Sequence, residues 1–71
     1  MQKRKSRGLR LAINAAEKLG PTTSGKRNLA IGLGITEQSI NWWTTVPRKR
    51  IVAVEKLTGI SREDLAPDLY R

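Results

Sequence analysis

Across residues 29–43, in LAIGLGITEQSINWW, small and apolar residues fall at offsets that leave a chain few ways to fold. Leu29, Ala30 and Leu33 share one side of a helix, because residues three and four apart lie on the same face. Gly34 follows at once. Lacking a Cβ, it tolerates positive φ, so one helix can end there and the chain can turn sharply. Ile35 then points inward, Thr36 can cap a new helix, and Glu37 in the first turn suits the macrodipole. Ile40 and Trp43 would anchor that helix, which the pattern carries to about Thr44. Ala30 supplies the small side chain needed where the two helices cross closely. The spacing predicts a helix-turn-helix over residues 26–45.

The adjacent tryptophans sharpen this reading. Helix neighbours diverge by about 100°, so Trp42 and Trp43 cannot both face one small core. Trp43 is assigned to the interior and Trp42 to the exterior. The chain has no phenylalanine and one tyrosine, so these rings carry most of its aromatic surface.

The flanking sequence reads as further helix. In GLRLAINAAEKLG, Leu9, Ala12, Ile13 and Ala16 fall on one face, and Gly20 and Pro21 are expected to stop the helix through a left-handed cap. Thr23 or Ser24 can cap the next helix. Pro47 suits the first position of a helix whose apolar side is Ile51, Val54 and Leu57, with Gly59 at its end. Ser61 to Asp64 resemble a capping box opening one last turn, ended by Pro67. Leu65, Leu69 and Tyr70 are expected to pack back on the body. No alternating apolar pattern, repeat or low-complexity tract is present. The expected class is all-α, with four to five short helices. Residues 1–8, MQKRKSRG, are read as a basic flexible arm, and residues 9–71 as one domain.

Composition narrows the chemistry. Seventy-one residues without cysteine or histidine exclude disulfides and a conventional zinc site. No cofactor is expected. No run approaches the ~20 apolar residues that span a bilayer. The basic N-terminus lacks the apolar stretch of a signal peptide, and a cytoplasmic location is expected. An enzyme is not expected, because so short a chain does not comfortably enclose a catalytic cleft. Fourteen Lys and Arg against six Asp and Glu give a net charge of +8. That excess favours a polyanion, usually nucleic acid. Acidic lipid is the rival partner, and simple solubility the plainer explanation.

Motif and charge together point to double-stranded DNA read in the major groove by the third helix. The alternative is a packed helix pair with no role on DNA. The candidate base-reading residues are Glu37, Gln38, Asn41, Trp42 and Thr45. Gln38 or Asn41 could bond an adenine edge bidentately. Glu37 could accept from cytosine or only repel phosphate. Trp42 could pack on thymine methyls or a sugar; equally, it could lie partly buried against the TTVP turn or form a dimer contact. The candidate backbone contacts are Lys26, Arg27, Thr36, Arg48, Lys49, Arg50 and Arg7. Lys3, Arg4 and Lys5 could join Arg7 in following the phosphates or entering the minor groove.

The stretch LAIGLGITEQSINWWTTVPRKRIVAVEKLTGISREDLAPDLYR resembles the Cro-like repressors of temperate phages, and most closely the YdaS-type antitoxin and phage-regulator family. The similarity covers roughly residues 29–71. It is specific at Trp43, Val46-Pro47, Glu55, Thr58-Gly59 and Ser61 to Tyr70. The resemblance implies a lambda-repressor-like helical fold, DNA binding by residues 36–45, and repression at a phage or prophage operator. It further implies a homodimer, preformed or assembled only on DNA, on an inverted repeat. The alternative it carries is an antitoxin or regulator acting through a protein partner. The chain departs from the family pattern at Trp42, where a small polar residue is expected, at Ala66, where an arginine is expected, and in the arm before Gly8.

Overall fold

A computed structural model describes residues 5–67 and residue 69. Among them are five α-helices: α1 (Arg7–Ala16), α2 (Gly25–Leu33), α3 (Glu37–Trp42), α4 (Ile51–Thr58) and α5 (Arg62–Leu65). A 3₁₀ turn, Arg48–Arg50, leads into α4. No strand occurs among the described residues, and no helix there is long and apolar enough to cross a membrane. The all-α expectation holds.

Every helix contributes to one core. The fully buried side chains are Leu9 of α1, Leu29 of α2, Ile40 of α3, Ile51 and Val54 of α4, and Leu65 of α5. Burying each such side chain stabilises a fold by about 1.5–3 kcal/mol. Helix α1 packs on α2, α4 and α5, while α3 rests chiefly on α2. So α3 is the peripheral helix of the bundle, with one side supported and the other open.

Caps fix the helix starts. The side-chain oxygens of Ser6, Ser24, Thr36 and Ser61 accept from the N–H of Leu9, Arg27, Ser39 and Asp64. Each meets a first-turn donor that has no carbonyl four residues earlier within its helix. Gly34 ends α2 at φ 70° and Gly59 ends α4 at φ 76°, the left-handed conformation that favours glycine.

Several boundaries differ from the sequence reading. The body begins earlier than Leu9: Arg7 and Gly8 are helical, and Ser6 is the cap. Gly8 is buried because α1 crosses α5 there, and a Cβ would collide with the backbone of Leu65. Residues 5–8 therefore belong to the folded domain, whereas residues 1–4 lie outside the described residues. Helix α1 stops at Ala16, short of Gly20, and Gly20 is not among the positive-φ glycines. The cause is Asn28, 4% exposed. Its amide donates to the carbonyls of Ala16 at 2.9 Å and Thr22 at 2.8 Å. Its Oδ1 accepts from the N–H of Thr22 at 3.0 Å and the hydroxyl of Thr22 at 2.7 Å. A Cβ on Gly20 would run into this side chain. Its smallness makes room for Asn28 and forms no left-handed cap.

Helix α3 ends at Trp42, before the expected Thr44, because Trp43 is already extended (ψ 134°). That extension carries Val46, 2% exposed, into the core. Pro47 stands just before the 3₁₀ turn and not at the first position of α4. Leu69 is 54% exposed and does not pack back on the body; Tyr70 lies outside the described residues.

Candidate nucleic-acid interface

The left-handed turn at Gly34 sets α3 against α2, and Ile40 fixes its rotation. With Ile40 wholly buried, the rest of the helix has a determined outward side. Trp42 is 76% exposed, and the partly buried ring against the TTVP turn is thereby excluded. Trp43 packs against the core while remaining half-buried. The inward and outward assignment of the two indoles holds, with Trp43 acting from the residue after the helix.

Of the candidate reading residues, Gln38, Trp42 and Thr45 are exposed, and Glu37 and Asn41 are half-buried. Glu37 is not a free acceptor: its Oε2 lies 3.5 Å from Nε of Arg27. This pair joins a candidate reading residue to a candidate phosphate contact. Its side chains are 62% and 40% exposed, so it is worth at most ~1 kcal/mol. Thr36 already uses its hydroxyl oxygen as the cap of α3 and shares a hydrogen bond of 2.9 Å with the Ser39 hydroxyl.

Lys5 is the residue that sequence reasoning placed wrongly. Assigned to a phosphate-following arm, its ammonium instead donates to the carbonyls of Ile40 at 3.0 Å, Asn41 at 3.3 Å and Trp43 at 2.7 Å. The N–H of Ser6 adds a bond to the carbonyl of Thr44 at 2.7 Å. The C-terminal end of α3 is thus closed by residues remote in sequence. Desolvation, with the charge of Lys26 nearby, holds the Lys5 ammonium below the ordinary lysine pKa. A lysine in a charge run looks solvated, and no local pattern marks its carbonyl partners.

The remaining cations are placed by the fold. Lys26 and Arg27 occupy the first turn of α2, the helix on which α3 rests. Arg48, Lys49 and Arg50 are all exposed on the 3₁₀ turn. That turn is held at both ends by buried side chains, Val46 before it and Ile51 after it. Arg7 is exposed in the first turn of α1. Among the described residues, no cluster of His, Cys, Asp or Glu could hold a metal ion.

A second structural link lies behind this face. The backbone N–H of Arg62 donates to Oε2 of Glu55 at 2.7 Å, and its Nη2 to Oε1 at 3.1 Å. These bonds, the side-chain one foremost, hold the Glu55 carboxyl below the usual glutamate range. Together they join α4 to the start of α5.

No curated protein and no solved structure matches the chain. A family model described as bacterial toxin YdaS matches residues 13–71, which takes in everything from the middle of α1 onward. Its description names a toxin, where the sequence resemblance implied an antitoxin or regulator. The chain belongs to the bacterial toxin YdaS family.

Proposed function

We propose that this chain is a sequence-specific DNA-binding repressor of phage or prophage type, reading operator DNA in the major groove with α3. The observation that carries this reading is the orientation of α3. Ile40 is fully buried, so Gln38 and Trp42 face outward on a peripheral helix, and Thr45 is exposed in the stretch just beyond it. A helix that presents polar side chains and one large ring on an open side suits the width and donor pattern of that groove. A net charge of +8 supplies the non-specific attraction such binding requires. The protein acts by binding and not by catalysis, as a homodimer on an inverted repeat.

Selection of bound duplexes from a random pool tests this directly. An enriched inverted repeat is the expected product, with affinity falling steeply as salt rises. A pool that stays random after selection, or binding indifferent to salt, would overturn the proposal. In that event the second reading takes its place, an antitoxin or regulator acting through a protein partner, for which the exposed apolar residues Ile31, Trp42 and Val52 are the candidate contacts.

A further inference from the structure

We infer that Lys5 is a positioning residue for α3: with Ser6 it closes the helix's C-terminal end and so sets how Trp42 and Asn41 are presented. Helix α3 is only six residues long. A helix leaves its last four carbonyls without partners inside it, so in α3 most of the helix is end. Ile40 O accepts from the N–H of Trp43 at 3.1 Å. Beyond that, the carbonyls of Ile40, Asn41 and Trp43 converge on one ammonium, and that of Thr44 on the next residue's N–H. An ammonium has three donors and no acceptor. All three bonds of Lys5 are therefore directed into the protein, leaving none to turn toward a phosphate.

Support for α3 is otherwise one-sided. It rests chiefly on α2, and its buried anchor is Ile40. Residues 41 and 42, which carry the candidate contacts, come after that anchor. A positive charge at this end also complements the negative pole of the helix. Residue 5 is thereby tied to the end of α3.

This inference deepens the DNA-binding reading, and its test separates the two. Lys5→Met is compared with the unchanged chain by amide hydrogen exchange and by binding to the selected operator over a range of salt. Expected is exchange faster by roughly tenfold or more at Ser6, Trp42 and Trp43, the change from losing one charge-assisted hydrogen bond. Amides in the middle of α4 should be unaffected. Operator affinity should fall while the slope of log K against log salt stays the same, because no phosphate contact is lost.

A slope flattened by ~0.9 with exchange unchanged would mark Lys5 as a phosphate contact and overturn the inference. Lys5→Arg keeps the charge and can donate. It should recover part of the exchange protection and part of the affinity together; recovery of affinity alone would show that only charge matters and would overturn it. If Lys5→Met melts the whole domain, the unchanged chain decides. A slowly exchanging Lys5 ammonium supports the inference, and one exchanging as fast as the other lysines overturns it. Failure of the DNA-binding reading looks different: the unchanged chain selects no duplex, while the exchange comparison still reports on Lys5.

Discussion

Trp42 and Trp43 are neighbours with opposite environments: the first ring is 76% exposed and the second packs on the core. The backbone change from helix at Trp42 to extended chain at Trp43 separates them. Large-to-small changes cost stability in proportion to what was buried. Trp43→Ala should therefore destabilise by about 2 kcal/mol or more, below the ~3–5 kcal/mol of a fully buried ring. Trp42→Ala should stay within ~0.5 kcal/mol of the unchanged chain, as exposed substitutions do. It should nonetheless weaken operator binding. Thermal melts and a binding titration on both variants check this, and a larger loss of stability at Trp42 would contradict the assignment.

Asn28 holds the loop from Ala16 to Thr22 against α2 using both ends of its amide. Replacing it by alanine removes the Asn28 partner of the Thr22 N–H and of the Thr22 carbonyl, at up to about 1–3 kcal/mol each, while the Ala16 carbonyl keeps the N–H of Leu19 at 3.1 Å. Asn28→Asp should be worse, because an acceptor would then face the carbonyls of Ala16 and Thr22. Denaturant titration is the measurement. The expected order of midpoints is unchanged chain, Asn28→Ala, Asn28→Asp, with asparagine clearly highest.

The sequence carried what depends on local periodicity. The turn at Gly34, the cap at Thr36, the inward Ile40 and the end of α4 at Gly59 are all nearest-neighbour matters, and their residue types announce them. What it concealed were contacts between distant segments. Lys5 reaches the carbonyls of α3, Gly8 lies against the backbone of Leu65, and Gly20 leaves room for Asn28. A glycine needed for space looks the same in a string as one needed for φ. A lysine bound to carbonyls looks the same as one in water. For the same reason the candidate interface was legible in its core spacing and illegible at its end, where a residue thirty-five positions away completes it.

Stability should depend on acid through Glu55. Arg62 donates to this carboxylate from both backbone and side chain, which lowers its folded-state pKa. The contribution is therefore complete above the unfolded glutamate pKa, about 4.3. It is lost as the pH falls through the lowered folded value. Glu55→Gln should melt lower at neutral pH and show a shallower loss of Tm on acidification. Melts between about pH 7 and pH 3 test this. Parallel curves for the two chains would show that the Arg62 bonds carry no linked stability.

Reading and anchoring residues should separate under salt. Gln38 is exposed on α3 and carries no charge, whereas Lys49 is exposed on the turn fixed by Val46 and Ile51. Gln38→Ala should leave the salt slope unchanged and narrow the gap between operator and random duplex, since a bidentate base contact is worth about 1–3 kcal/mol of discrimination. Lys49→Ala should weaken both duplexes alike and flatten the slope by ~0.9, the loss of one neutralised phosphate. Neither change alters a buried side chain, so both variants should melt near the unchanged chain. Titrations on the two duplexes at several salt concentrations give all four slopes. If Gln38→Ala flattens the slope while Lys49→Ala changes only operator preference, the reading face lies on the 3₁₀ turn and α3 is the anchor.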